Sequence, residues 1–547
     1  MDRARLLARS RDRGVNPFVY WTVRAVLQPF FHVYFRMSRL GREHAPAHGP
    51  LLIAANHRSF LDPFIIGCIV RRPVYFVAKQ ELFRHRFIAW LLNSLGAFPI
   101  ERGNADGDAM RTAREILERG HAVVIFPEGT RVRPGPLGQA KRGVGRLALE
   151  TGAPVLPVAI FGTEDVRRGW RIRPRKVRVR CGRPITFPLV DRPSPQLAKA
   201  VTDRIWPCVE LQWEWLGGTP PVRRAAVIGA GSWGTGVAIA LARAGVEVEL
   251  GCRTADQAGR LAAAGCNERY LPGLDLPQGV TVRCADELSL DQHDLVVFAV
   301  PARDLPAAVA AHGAAIPRRA GVLVLSKGLV PPHGALPAAY AAERTTARAV
   351  AALAGPGHAA DALLNGASLV VASADRGFAR QVAAVLRSAG LTAEHTADVT
   401  GAELASCAKN AAALAAAAAG ARGPNAAGAA AARVFDEVAE LARRRGARPA
   451  TFTGLAGTGD LVATVLASGS RNRRAGELLG AGVPPAEINA QLGQTAEALD
   501  AVPLLVGALR EARVEAPATG ALADLVEGRT SPDRYFERLA TAPRRAA

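Results

Sequence analysis

Residues 229–236 read Gly-Ala-Gly-Ser-Trp-Gly-Thr-Gly, directly after the apolar run Ala225–Gly229 and just before the apolar stretch Val237–Ala244. A lone G-x-G-x-x-G is a weak signal. A strand ahead of it and a helix behind it supply the context that a dinucleotide-binding turn requires. Gly229 allows the turn, Gly231 admits a pyrophosphate, and Gly234 lets the helix meet the strand. Further runs at Val246–Leu250, Leu295–Val300 and Gly321–Leu325 read as strands of parallel type. After about residue 396 the strand signal gives way to Ala-rich helical pattern, including the run Ala411–Ala419. The expected architecture here is a Rossmann dinucleotide-binding domain over 223–395, followed by an all-α domain over 396–540. The second strand ends in Gly251-Cys252-Arg253, with no acid where a ribose hydroxyl usually finds its partner. Arg253 is suited to a 2′-phosphate, which slightly favours NADP over NAD.

Upstream, Gly217-Gly218-Thr219-Pro220-Pro221 is the clearest linker, placed at 216–222. Before it, Leu51–Ala55, Val74–Ala78, Ala122–Phe126, Val155–Ile160 and Val177–Cys181 alternate with helical stretches. That alternation predicts a separate α/β domain over 46–215. Residues 17–37 are apolar and aromatic apart from Thr22 and a row at Arg24, Gln28, His32 and Arg36. The spacing of four keeps this row in one stripe opposite a broad aromatic face. Two arginines and Pro29 argue against a spanning helix. With Arg3, Arg5, Arg9, Arg11 and Arg13 ahead of it, residues 1–45 read as a basic, amphipathic membrane-interface segment.

The chain has 547 residues, a formal net charge of +21 and a hydrophobic fraction of 49%. Length suggests roughly three to four domain-sized units, and the apolar fraction excludes wholesale disorder. Residues 1–224 carry 38 Lys and Arg against 18 Asp and Glu, leaving the remainder nearly neutral. The basic part therefore needs an anionic partner. Its arginines are spread over an aromatic helix and phosphate-type motifs rather than a nucleic-acid fold, so an anionic membrane surface is expected and nucleic acid is not. Seven cysteines lie singly with no C-x-x-C pair, as in a reduced cytosolic chain, and no metal site is expected. Residues 1–16 are Arg-rich with no small-residue cleavage site following, so no signal peptide is expected. The expected location is cytoplasmic, peripheral to the inner face of the cell membrane.

Four blocks in the α/β domain share one order and spacing: NHRSFLDP (56–63), GAFPIERG (96–103), IFPEGTR (125–131) and the proline-bearing strand at 154–157. Histidine separated from aspartate by four residues is weak alone, but this set resembles the glycerolipid acyltransferases, which include 1-acyl-glycerol-3-phosphate acyltransferases. The resemblance implies His57 as general base, with Asp62 fixing its tautomer. It implies Arg102, Glu128, Gly129, Thr130 and Arg131 as holders of the acceptor phosphate. The donor would be acyl-CoA or acyl-carrier protein. The acceptor would be lysophosphatidate, that is 1-acyl-glycerol 3-phosphate, or glycerol 3-phosphate itself.

The second half carries seven more blocks after its glycine turn: NERYLPGLDLP (267–277), Pro301, SKGL (326–329), GPGHAAD (355–361), GAELASCAKN (401–410), FTGLAGTGDL (452–461) and SRNR (470–473). Together they resemble NAD(P)-dependent glycerol-3-phosphate dehydrogenase. The resemblance implies Lys409 as proton donor to the carbonyl oxygen of dihydroxyacetone phosphate, with Lys327 and Asp460 at the reacting centre. It assigns Gly355, Gly357, Ser470, Arg471 and Asn472 to the substrate. It assigns Ser232, Trp233, Arg253, Lys327, Ala359, Arg471 and Glu497 to NAD(P)H, beside Gly229, Gly231 and Gly234. Gly357 departs from the family's usual hydroxyl residue, and 411–432 is unusually alanine-rich. The reading is a bifunctional enzyme that makes glycerol 3-phosphate and acylates a glycerol-phosphate acceptor. The alternative is an active acyltransferase with a C-terminal regulatory module that binds glycerol 3-phosphate or NAD(P) with weak or no turnover.

Overall fold

The computed structural model describes residues 3–100, 107–131, 136–164, 166–168, 170–467 and 469–541. Two compact units divide between Pro221 and Val222.

The first unit is built on β1 (Ser38–Leu40), β2 (Leu51–Ala55), β3 (Val74–Lys79), β4 (Ala97–Ile100), β5 (Ala122–Ile125), β6 (Val155–Phe161) and β7 (Arg178–Cys181). They lie in the order β1-β7-β6-β2-β5-β3-β4, and only β6 and β7 run antiparallel. The run Leu-Leu-Ile-Ala-Ala of β2 is wholly buried. Leu51, Ile53 and Ala55 enter one core while Leu52 and Ala54 enter the other. A strand covered on both faces has no solvent side to alternate with, which is why it reads as an unbroken apolar run.

Residues 1–45 are not a separate segment, so the boundary expected at 45/46 is corrected. Helix α1 (Arg3–Asp12) sends Leu6 and Leu7 into the two cores, and α2 (Pro17–Tyr34) contributes Phe31. Strand β1 pairs with β7. Of the polar row, Arg24, Gln28 and His32 are half-buried, Arg36 lies exposed beyond the end of α2, and Arg24 reaches into the unit. Arg24 donates to the carbonyls of Gly67 (2.7 Å) and Cys68 (3.4 Å), at the end of α3 (Asp62–Ile69). Unpaired carbonyls at a helix C-terminus attract a cation, so the arginine caps α3. The outer face of α2 is left with Phe18, Trp21, Val26, Phe30 and Val33 exposed. Among the described residues, no single helix is long and apolar enough to cross a membrane. The long helix α4 (Pro195–Trp215) closes this unit.

The second unit contains β8 (Arg224–Ile228), β9 (Glu247–Cys252), β10 (Val280–Cys284), β11 (Leu295–Phe298), β12 (Gly321–Val324), β13 (Ala349–Ala354), β14 (Ser368–Ala372) and β15 (Thr392–Thr396). Their order is β10-β9-β8-β11-β12-β13-β14-β15. The first six follow the doubly wound pattern, with its reversal between β8 and β11. Strands β13 and β14 are antiparallel, a local exception to the parallel pattern. Helix α5 (Ser232–Arg243) follows β8 through the glycine turn, and α6 (Ala359–Asn365) follows β13.

Beyond β15 the described chain is helical. Helix α7 (Val399–Ala419) is buried along almost its whole length, packed by α8 (Pro424–Arg444) and α10 (Arg471–Gly480), with α9 (Asp460–Leu466) alongside. A Cβ placed on Gly476 would lie 2.4 Å from the Leu414 carbonyl oxygen, and one on Gly480 would lie 2.5 Å from that of Ala418. Glycines four apart on α10 thus let its backbone touch α7. The alanine run is the complementary surface, since larger side chains would hold the helices apart. Gly476→Ala should therefore destabilise the unit by about 1–3 kcal/mol despite alanine's better helix propensity. Gly259 sits in a helix with open space around it, so Gly259→Ala should be neutral or stabilising by up to about 1 kcal/mol. Thermal unfolding of the two variants checks this, and equal shifts would remove the close-packing account.

Candidate active sites

In the first unit, β2 and β5 are parallel neighbours, so the loops leaving their C-terminal ends meet. Asn56 fixes the first loop: its side chain donates to the Ile160 carbonyl (3.0 Å) and accepts from the Ile160 N–H (2.8 Å). Asp62 is fully buried. Its Oδ2 accepts from His57 Nδ1 (2.9 Å) and from the N–H groups of Arg58 (2.6 Å) and Ser59 (2.7 Å). An ionised carboxylate only accepts, so the imidazole proton sits on Nδ1 and Nε2 keeps its lone pair. The imidazole stacks on Phe126, with ring centroids 4.2 Å apart. This is the geometry of an oriented base.

Glu128 is placed differently from the expectation. It is buried, and Oε2 accepts from the His57 N–H (2.6 Å) while Oε1 accepts from the Gly138 N–H (2.7 Å). Burial pushes its pKa up, while those two N–H groups and Arg58 oppose the shift. A carboxylate committed to two backbone donors braces the loop, and while ionised it offers a phosphate no donor. Gly129 adopts φ +70°, with the Lys141 side chain lying over it, Nζ about where a Cβ would come within 3.0 Å. Lys141 escaped the sequence reading because it lies ten residues beyond Arg131, outside the motif. Thr130 and Arg131 are both exposed. Arg102 lies outside the described residues.

In the second unit, the turn after β8 is built for close approach. A Cβ on Gly234 would lie 1.9 Å from the Gly229 carbonyl oxygen, whereas one on Gly231 would meet nothing within 4 Å. Gly231 has an ordinary φ of −81°. The protein itself makes no demand for glycine there, so the space is fit for a pyrophosphate lying on the turn. Ser232 Oγ donates to the Tyr270 carbonyl (2.6 Å). The Trp233 indole fills a slot between two glycines: a Cβ on Gly236 or on Gly357 would come 3.1 Å from its ring. The missing hydroxyl at 357 is therefore coupled to Trp233. Arg253 is exposed just beyond β9, and Ala359 is buried at the start of α6.

A buried charged cluster joins three distant segments. Asp460, at the first turn of α9, is 1% exposed. Its carboxylate receives Lys327 Nζ at 2.8 Å and Lys409 Nζ at 3.2 Å. Burial works to raise the Asp460 pKa, but the two ammonium groups prevail and hold it below the ordinary value. For Lys409, burial pulls the pKa down to about 8, opposed by Asp460 and assisted by Lys327. Lys327 also donates to the Gly355 carbonyl (3.1 Å). Thr464, which the motif reading did not single out, accepts from Lys409 Nζ (3.0 Å) and donates to the Asp460 carbonyl (2.7 Å).

Asn410 donates to the Lys327 carbonyl (3.0 Å) and accepts from Asn472 (2.8 Å). Asn472 in turn accepts from the Ala498 N–H (3.2 Å). It therefore acts as a strut as well as a neighbour of the substrate groups. Ser470 caps α10, leaving Arg471 at a helix N-terminus, where anions are favoured. Glu497 accepts from the Ala302 N–H (3.3 Å); burial raises its pKa, opposed by Arg471. A cleft lined by Pro356, Gly357, His358, Asp361, Leu455 and Ala463 adjoins the GPGH loop. His358, also missed in the sequence, has its pKa lowered by burial and by both lysines.

A doubly wound sheet, a glycine turn shaped for a dinucleotide and a lysine tuned by burial define an NAD(P)-dependent oxidoreductase. The family comparisons agree. Residues 224–379 match the N-terminal model of NAD-dependent glycerol-3-phosphate dehydrogenase, and residues 398–537 match the C-terminal model. Residues 37–161 match the acyltransferase model. The glycerol-3-phosphate dehydrogenase [NAD(P)+] of Deinococcus radiodurans is 37% identical over 317 residues, covering 57% of this chain and 93% of that protein. Its counterpart from Bradyrhizobium sp. (strain ORS 278) is 35% identical over 325 residues, covering 59% and 97%. A crystal structure of glycerol-3-phosphate dehydrogenase from Coxiella burnetii superposes with a TM-score of 0.54 at 27% identity, over 58% of this chain and 99% of that one. The chain belongs, through its second unit, to the NAD(P)-dependent glycerol-3-phosphate dehydrogenase family, and it carries an acyltransferase domain in its first. It is a fused enzyme.

Gly231→Ala should leave the unfolding temperature unchanged, since the added methyl meets no protein atom. It should weaken NADPH binding by at least about tenfold, ~1.4 kcal/mol. Fluorescence titration with NADPH checks this; unchanged affinity would show that nothing lies on the turn.

Proposed function

We propose that the second unit reduces dihydroxyacetone phosphate to sn-glycerol 3-phosphate, and that the first transfers an acyl chain from a thioester to a glycerol-phosphate acceptor. The observation that carries the reduction is the Lys327–Asp460–Lys409 cluster. NAD(P)H supplies the hydride when bound. Lys409 protonates the carbonyl oxygen at carbon 2, and Asp460 keeps the two lysines in place. Arg471 at the α10 N-terminus grips the phosphate. The exposed Arg253 supports a slight preference for NADP. An intact cluster favours an enzyme over a module that binds without turnover.

In the first unit, Nε2 of His57 takes the acceptor hydroxyl proton as its oxygen attacks the thioester carbonyl, and the thiol leaves. Arg102, Thr130, Arg131 and the Gly129 turn are proposed to hold the acceptor phosphate, with Lys141 beside them. The acceptor is lysophosphatidate or glycerol 3-phosphate, and the donor is acyl-CoA or acyl-carrier protein. If the acceptor is the 1-acyl ester, one acylation step separates the two activities and direct hand-off is impossible.

The test is to supply the protein with dihydroxyacetone phosphate, NADPH and acyl thioester, with and without lysophosphatidate, and to identify products by mass. Lys409→Ala should lower reduction by roughly a hundredfold to ten-thousandfold and spare acyl transfer. His57→Ala should do the reverse. Because protonated Lys409 is the donor, kcat for reduction should fall as pH rises through about 8. A rate flat from pH 7 to 10 would remove Lys409 from that role.

The apolar outer face of α2 further supports peripheral attachment to the anionic inner surface of the cell membrane. Flotation with anionic vesicles should be lost when Phe18, Trp21 and Phe30 are replaced by serine. Retention by the triple variant would place attachment elsewhere.

A further inference from the structure

Arg58 lies inside the His57–Asp62 motif, where the sequence pattern assigns it no role. Its side chain is nonetheless buried, with the residue 6% exposed. Nη2 donates to the Pro136 carbonyl (2.8 Å), and the guanidinium lies over the Trp213 ring of α4, 4.8 Å from its centroid. Carboxylates of Glu128, Glu164 and Asp62 surround it. Following the bonds from one residue to the next produces a closed ring. His57 donates to Glu128, and Glu128 accepts from Gly138. Two residues before Gly138, Pro136 accepts from Arg58, which is covalently joined to His57.

We propose that Arg58 is a positioning residue for acyl transfer: it ties the loop of the base to the segment behind the Glu128–Arg131 turn and holds the two in register. The proposal rests on the acyl-transfer reading above. The physical grounds are threefold. Asp62 alone fixes the imidazole from one side, but nothing in that contact fixes the distance from His57 to the Gly129 turn. Glu128 spans that distance, and a carboxylate withdrawn from water needs a cation near it to remain an acceptor for both N–H groups. Arginine also suits the place better than lysine, because a planar guanidinium can stack on an indole while donating in its own plane.

The groups facing Glu128 are the His57 imidazole, the Arg58 guanidinium and the Gly138 N–H, with Lys141 over the next residue and Asp62 and Glu164 beyond Arg58. Removing the guanidinium leaves Glu128 buried with less positive charge nearby, so it takes up a proton at higher pH. Once protonated it no longer accepts from both loops.

The experiment compares wild type, Arg58→Ala, Arg58→Lys and His57→Ala as full chains, using palmitoyl-CoA and lysophosphatidate across pH 5–9, with dehydrogenase activity as the internal standard for enzyme amount and the melting temperature as the standard for folding. Arg58→Ala should lower kcat for acyl transfer at least tenfold and move the acid limb of its pH profile upward, leaving reduction of dihydroxyacetone phosphate unchanged. Arg58→Lys should return the acid limb towards its wild-type place while recovering only part of kcat. Unchanged kcat in Arg58→Ala overturns the proposal. So does a loss that follows a lower melting temperature with the acid limb in place, which is the mark of a merely structural side chain. If wild type transfers no acyl group, or His57→Ala transfers as well as wild type, the acyl-transfer reading fails and takes this inference with it.

Discussion

Asp62, Glu128 and Asp460 are each almost wholly buried, and an ionised carboxylate withdrawn from water is costly unless donors surround it. Both units are arranged around meeting that demand. Asp62 takes two backbone N–H groups and an imidazole on one oxygen. Glu128 takes one backbone N–H on each oxygen. Asp460 takes two lysines. In each case the carboxylate fixes something other than itself: a histidine tautomer, a loop distance, a pair of ammonium groups.

A second constraint is how closely backbones approach. In the helical part of the second unit, Gly476 and Gly480 bring α10 onto α7, and the alanines of α7 give them a surface to rest on. That contact sets where Lys409, on α7, stands relative to Ser470 and Arg471 at the start of α10. The alanine richness of α7 therefore serves this close packing. The slot for Trp233 follows the same logic, with glycine at 236 and 357 making room for an indole beside the dinucleotide turn.

In the first unit the amphipathic pattern of α2 has an unusual sense. Arg24 of its polar row is spent inside, capping α3, whose first residue is Asp62. The helix that supports the motif thus turns its apolar face outward. That exposed apolar face is the surface on which the proposed attachment to lipid rests. Arg24 links the two features, because the bond that secures α3 also decides which face of α2 is exposed.

Much of this was legible in the chain itself. Short apolar runs bounded by turn residues, such as Leu51–Ala55 and Ala225–Gly229, read as buried strands, and the structure places strands there. The glycine turn, the linker and the order of the motifs fixed two α/β layouts and a helical end. Sequence could not tell that Glu128 points inward, because a motif specifies neighbours along the chain and not which way a side chain turns. Nor could it find Thr464 against Lys409, or Pro136 and Trp213 around Arg58, since those partners lie 55, 78 and 155 residues away. Local pattern determines which elements form, because periodicity and turn chemistry act over a few residues. Which charges meet inside is decided only when those elements pack, because desolvation and Coulomb energy depend on distance in space.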